Sequence, residues 1–260
     1  IALKKDNYYL IDMNAYKKLL QKESVKLVSI THVSNVLGTV NDVKEVCKIA
    51  KEKGVLSLID GCQAVPHFPV DVQDIHCDFY VFSSHKMYGP TGVGALYGRL
   101  ELLKKLPPFL GGGDMIHEVF FDSFTPNEVP YRFEAGTPPI AEAYGMGLAC
   151  DFLNYVGLET IFKHDKEICS YAYKKLLEIP ELKIHSHKNS CGLVSFTIAG
   201  ISDYDIGDEL GEEGVCVRVG HHCAQPLLNS LDVRTLIRAS FGIYNTEDEI
   251  DTVLDVLQTV

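Results

Sequence analysis

The 260 residues contain no run of 18 apolar residues, and no stretch has the form of a signal peptide. Nothing in them therefore reads as a membrane-crossing helix or a secretory leader. Basic residues are scarce, with 24 Lys and Arg against 35 Asp and Glu, for a formal net charge of -11. Lysine doublets such as Lys104-Lys105 are short and scattered. That distribution leaves no electrostatic footprint for nucleic acid or an anionic membrane. The eight cysteines are spread out with no CxxC among them, so they read as reduced thiols of a cytoplasmic protein. Internal repeats and low-complexity segments are also missing. What remains is an ordinary globular composition, 46% hydrophobic and 23% charged, in a chain long enough for one large or two modest domains.

The first residue is Ile1, not Met, and the chain begins without any helix or strand of its own to open it. An N-terminal part is therefore expected to be missing. The apolar run from Leu27 to Val33 reads as a buried strand ending at Ser34-Asn35. Asp42 to Lys53 has helical spacing, with Val43, Val46, Cys47 and Ala50 on one face and Gly54 as a stop. A second strand, Val55 to Ile59, ends at Asp60. A third, Phe79 to Phe82, ends in Ser83-Ser84-His85-Lys86. Fully apolar strands separated by a helix predict an α/β fold, a mostly parallel sheet with helices on both faces. Gly94 to Tyr97 follows a glycine turn too short for a parallel crossover, which predicts an antiparallel strand.

Helices are expected from Pro138-Pro139 to about Tyr155 and from Leu158 to Ile179. Past Pro180 the pattern changes to short strands at 182–185, 193–198, 215–219 and 236–243, with helices near 204–210 and 247–257. Thr246 with Glu249 three residues on is a capping box. The expected division is residues 1–155 as part of a large domain and 156–260 as a small α+β domain.

In open parallel sheets, ligands sit beyond the carboxyl ends of the strands. Here three consecutive strands end in Asn35, Asp60 and Ser83 to Lys86. Taken singly, Asp60 could be a helix cap and Lys86 a surface lysine. Together they suit pyridoxal phosphate, which needs a lysine to hold it as a Schiff base and a carboxylate to keep its pyridine nitrogen protonated. Asn35 and Gln63 can bond the ring and its hydroxyl, and Ser83 and His85 can donate to phosphate.

The segments "THVSNVLGT", "DGCQAVPH", "VDVQ", "CDFYVFSSHKMYGPTGVGALYG", "RFEAGTP" and "RVGHHCAQP" resemble the class V aminotransferase family. Within it they are similar to cysteine desulfurases of the SUF iron–sulfur assembly system, the group that includes selenocysteine lyase-like enzymes. The resemblance runs from about Leu27 to the end. It implies a type I pyridoxal-phosphate-dependent transferase fold and a homodimer, with pyridoxal 5'-phosphate as cofactor and L-cysteine as substrate. A sulfur-acceptor protein would be the partner. It assigns Lys86 as the Schiff-base lysine, Asp60 as the pyridinium partner, and Asn35, Gln63, Ser83, His85 and Thr137 as further cofactor contacts, with Lys86, His85 and Cys223 expected to be catalytic. It also assigns Arg238 to the substrate carboxylate, with Arg218 and His222 beside it. Two departures stand out. Ser84 occupies the position of a usual glycine. Family members also carry roughly a further half-length of chain, including a phosphate-binding loop and a ring-stacking histidine.

Cys223, in "RVGHHCAQP", has three readings. It is a zinc ligand with His221 and His222, a structural loop cysteine, or a nucleophile whose thiolate is favoured beside Arg218 and the histidines. The family resemblance implies the third, with no metal. Cys47, Cys150 and Cys169 fall on helical stripes and read as core residues; Cys62, beside the cofactor position, reads as packing. His32, His67 and His117 read as structural histidines. "GGGDMI", Gly111 to Ile116, lacks the strand-to-helix context of a phosphate loop and reads as a flexible approach to the site. The function that follows is desulfuration of L-cysteine to L-alanine through a persulfide on Cys223. The alternatives are a selenocysteine lyase on the same scaffold or a truncated fragment without catalysis.

Overall fold

A computed structural model of the protein describes residues 10–259. Its first element was not expected from sequence: helix α1, Met13–Leu19, capped by the Asp12 side chain, which accepts from the backbone N–H groups of Asn14 and Ala15. Seven residues are too few to display a helical period. What holds α1 is tertiary: Tyr16 is buried, and its hydroxyl donates to the Val46 carbonyl at 3.0 Å.

The first sheet has the order β1 (Leu27–Thr31), β2 (Leu56–Asp60), β3 (Phe79–Ser83), β4 (Gly94–Gly98). β1, β2 and β3 are mutually parallel, and β4 runs antiparallel to β3, as its short connection required. Helix α2 (Val43–Glu52), capped by Asp42, lays Val46, Ile49 and Ala50 against Val28 and Ile30. Its Val43 and Cys47 pack with Ile59, Tyr80 and Ile75 of the short helix α3 (Val72–Ile75). Alternation sends Leu27, Leu56 and Leu96 to the opposite face, where they are exposed. Helices α2 and α3 thus cover one face of this sheet.

After the short helix α4 (Leu100–Leu103) comes an unexpected hairpin, β5 (Ile116–Val119) and β6 (Phe124–Pro126). In the glycine-rich approach to it, Met115 is fully buried. Helices α5 (Ile140–Val156) and α6 (Leu158–Leu176) follow, separated by Gly157 at φ 90°.

The second sheet is antiparallel, in the order β7 (Leu182–Ile184), β8 (Leu193–Ile198), β10 (Leu236–Ser240), β9 (Arg218–Gly220). α6 packs Ile168, Ala172 and Leu176 on it. Helix α7 (Asp203–Glu212) adds Ile206 and Leu210, and α9 (Glu247–Leu257) adds Ile250 and Leu254, around Val194, Phe196 and Ile237. The capping box at Thr246 and Glu249 is formed. Two sequence expectations need correction. The strand expected at 215–219 lies at Arg218–Gly220, because register with Leu236–Arg238 fixes it. A further helix, α8 (Gln225–Leu231), follows Cys223, and a short apolar segment of this kind does not betray its period.

Candidate active site

Register brings the strand ends side by side: Thr31 is level with Asp60, and Asp60 with Val81. The backbone N–H of His32 donates to the Asp60 carbonyl at 2.7 Å, and that of Gly61 to Val81 at 2.8 Å. Gly61 must be glycine, since a Cβ there would lie 2.1 Å from the Tyr80 ring. Tyr80 in turn pairs its hydroxyl with His32 Nδ1 at 2.9 Å. Burial pushes His32 down to about 4 and the Tyr80 phenol upward. His32 is thus a neutral structural residue; the buried His67 is also structural, bonded through Nδ1 to Asp165 at 2.7 Å. His117 is exposed on β5.

Asp60 Oδ1 accepts from the Cys62 backbone N–H at 2.9 Å. The Cys62 sulfur lies 3.6 Å from Ser83 Oγ. Burial raises the Cys62 thiol most; the hydrogen bond to Ser83 lowers it, Asp60 raises it, and the Lys86 ammonium lowers it. Cys62 thus links Asp60 at the end of β2, through its backbone N–H, with Ser83 at the end of β3, through its sulfur. Lys86 ends a 3-10 turn, Ser84–Lys86, that terminates β3; Lys86 and His85 are both exposed. The serine at the usual glycine position fits sterically but leaves its buried Oγ without a hydrogen-bond partner. Ser84 is completely buried, and its Oγ occupies the space left by Gly89, where a Cβ would sit 2.2 Å away. Tyr88, two residues past Lys86, adopts φ 66° and accepts from the Ile243 N–H at 3.1 Å. Nothing in the local sequence signalled that contact.

The second half of the site arrives from the small sheet. Asn35, just past β1, donates from Nδ2 to the His222 carbonyl at 2.9 Å. Its own carbonyl accepts from Arg238 Nη1 at 2.8 Å. Arg238 is level with Arg218 in the β9–β10 pair, and burial, then the Arg218 charge, lowers its proton affinity. Arg238 Nε is buried without an acceptor. Cys223 is exposed. Of the flanking rings, His221 Nδ1 accepts from the Cys223 N–H, and His222 Nε2 donates to the Leu236 carbonyl. Both rings are thus engaged by backbone, and His222 is buried rather than displayed. Gln63 is half-buried in the turn after Asp60, and Thr137 is exposed before α5, with no bond tying it to Lys86. Of the other thiols, Cys47, Cys77, Cys169 and Cys191 are buried, Cys150 is half-buried, and Cys216 is exposed.

These residues fit pyridoxal phosphate. Among the described residues Lys86, at a strand end, makes no ion pair, Asp60 has a second carboxylate oxygen to offer, and Arg238 has an orphaned donor. The residues that would hold the cofactor are Lys86, Asp60, Asn35, Gln63, Ser83 and His85.

A mixed sheet with lysine and aspartate at neighbouring strand ends, joined to a small antiparallel sheet, is the type I pyridoxal-phosphate-dependent transferase fold. The chain matches Aminotransferase class-V over residues 2–253, and it belongs to that family. It is 45% identical over 257 residues to a probable cysteine desulfurase of Synechocystis sp., covering 97% of this chain and 61% of that protein. Among solved structures it superposes on the cysteine desulfurase CsdA of Escherichia coli with TM-score 0.94 at 36% identity, covering 99% of this chain and 63% of that one. The cysteine desulfurase of Thermococcus onnurineus NA1 gives TM-score 0.94 at 35% identity, with 99% and 64% covered. The chain thus spans about three-fifths of the length of these relatives.

Proposed function

We propose that this chain carries the catalytic residues of a pyridoxal-phosphate-dependent cysteine desulfurase. The observation that carries this reading is the double use of Asn35, which joins Arg238 and the turn bearing Cys223 to the strand ends bearing Asp60 and Lys86. Bound pyridoxal phosphate supplies an electron sink for carbanion chemistry at the amino-acid α-carbon. Lys86 would hold the cofactor covalently and, once the substrate amine had displaced it, its free Nζ would take the α-proton. Asp60 would keep a proton on the pyridine nitrogen, so that the ring's positive charge can draw in the negative charge developing at the α-carbon. Ser83, His85 and Thr137 serve the phosphate, Thr137 that of the neighbouring subunit. Arg238, supported by Arg218, takes the carboxylate of L-cysteine. The Cys223 thiolate would attack the substrate sulfur: an S–S bond forms as the Cβ–S bond breaks with its electron pair left on carbon, and proton uptake at Cβ and return of a proton to Cα give L-alanine and a persulfide on Cys223.

The persulfide would pass to a sulfur-acceptor protein for iron–sulfur cluster assembly, in the SUF manner and in the cytoplasm. Exposed apolar side chains, among them Phe109, Phe120 and Phe121 and Ile140, Tyr144 and Tyr155 on α5, support a homodimer. The break between α5 and α6 at Gly157 supports the domain division near residue 155. Selenocysteine lyase uses the same lysine and arginine, so the deciding experiment compares substrates. Purified protein with pyridoxal phosphate should form alanine from L-cysteine; alanine from selenocysteine alone would assign the lyase, and neither would overturn both.

A further inference from the structure

His222 and Cys223 are consecutive non-glycine residues in the left-handed region, at φ 50° and 57°. L-residues rarely adopt it, and such pairs persist only where their surroundings over-determine them. Here the surroundings are specific. The His222 carbonyl accepts from Asn35 Nδ2 at 2.9 Å, and its ring donates from Nε2 to the Leu236 carbonyl at 3.0 Å. Leu236 is fully buried in β10, two residues before Arg238. Arg238 closes the circuit by donating to the Asn35 carbonyl at 2.8 Å. The next turn bonds, Cys223 N–H to His221 Nδ1 and Ala224 N–H to the His221 carbonyl, are local and do not reach β10.

We propose that His222 is a positioning residue. Its buried ring pins the strained turn to the strand that carries Arg238, so that the exposed Cys223 thiol and the guanidinium keep a fixed separation. A carbonyl can only accept, so His222 must donate from Nε2, and its Nδ1 is left buried without a partner. The ring is thus committed to the fold and not to a substrate. The inference rests on Cys223 being the nucleophile and Arg238 the carboxylate site.

The test uses His222→Ala and His222→Gln, since the glutamine amide can place a donor where Nε2 stood. In amide hydrogen exchange on the purified chain, His222→Ala should speed exchange at residues 221–225 about tenfold, the loss expected for one buried hydrogen bond. Peptides from β8 should be unchanged, and His222→Gln should restore the slow rates. In turnover with pyridoxal phosphate, His222→Ala should lower kcat about 10- to 100-fold, the range expected for a misplaced reacting group. KM for L-cysteine should stay within about twofold, because Arg238 is retained. Unchanged exchange at 221–225, equal acceleration in β8, or failure of glutamine to rescue would each overturn the proposal. If exchange behaves as expected while the unaltered protein makes no alanine, the desulfurase reading fails and the anchoring of the turn stands.

Discussion

Arg218 and Arg238 face each other across β9 and β10, level in the antiparallel register. Among the described residues neither makes an ion pair, and Arg238 keeps a buried Nε without an acceptor. Like charges directly opposite one another destabilise a sheet, so the arrangement makes sense as a seat for an anion. Arg238→Ala should lower kcat/KM for L-cysteine about 100-fold, mostly through KM. Arg218→Gln should relieve the repulsion and stabilise the ligand-free chain by about 0.2–1 kcal/mol. A thermal melt that shows Arg218→Gln to be less stable would contradict the account.

Lys86 should be the single attachment point for the cofactor. Borohydride treatment after incubation with pyridoxal phosphate should leave a stable adduct on the peptide containing Lys86. Lys86→Ala should show no adduct and no turnover. Peptide mass spectrometry reads both, and an adduct elsewhere in the unaltered protein would defeat the assignment.

The thiols should separate by exposure. Cys216 and Cys223 are exposed, while burial pushes Cys77 and Cys169 up to about 12. Iodoacetamide at neutral pH should therefore modify Cys216 and Cys223 in the native protein and the buried thiols only after unfolding. Cys223→Ser should abolish sulfur release from cysteine while leaving the Lys86 adduct intact; Cys216→Ser should retain turnover.

Two buried histidines predict acid sensitivity. His32 and His185 are both pushed down to about 4, chiefly by burial. Each is neutral in the folded chain where the unfolded chain already binds a proton. Their contribution is therefore complete above pH 6.5 and is lost as pH falls from 6.5 towards 4. The combined loss is of the order of several kcal/mol. Urea midpoints at pH 7.5 and pH 5 should differ clearly, and His32→Gln should narrow the difference. Equal midpoints would show that neither group is shifted.

Gly61 is predicted to be irreplaceable for steric reasons alone. Gly61→Ala places a methyl 2.1 Å from the Tyr80 ring and should cost about 1–3 kcal/mol. Pairing it with Tyr80→Leu should recover part of that loss, a coupling a double-mutant cycle measures. Additive effects would mean that the ring is not what Gly61 makes room for.

The sequence by itself determined the large pieces. Apolar runs ending in Asn35, Asp60 and Lys86 mark parallel strands with polar ends, and Thr246 with Glu249 marks the start of α9, because strand periodicity and capping are local properties. It could not show that Asn35 would meet Arg238, 203 residues away, or that Ser84 and His222 would turn inward while Cys223 faced solvent. It also gave no sign of α1, which is held by Tyr16, bonded across to α2, and by Leu20 and Met13 packed in the same cluster. Those outcomes were decided by strand register and by which cavities neighbouring residues leave open. Both depend on chain segments far apart in sequence meeting in space, and no spacing within a segment encodes that.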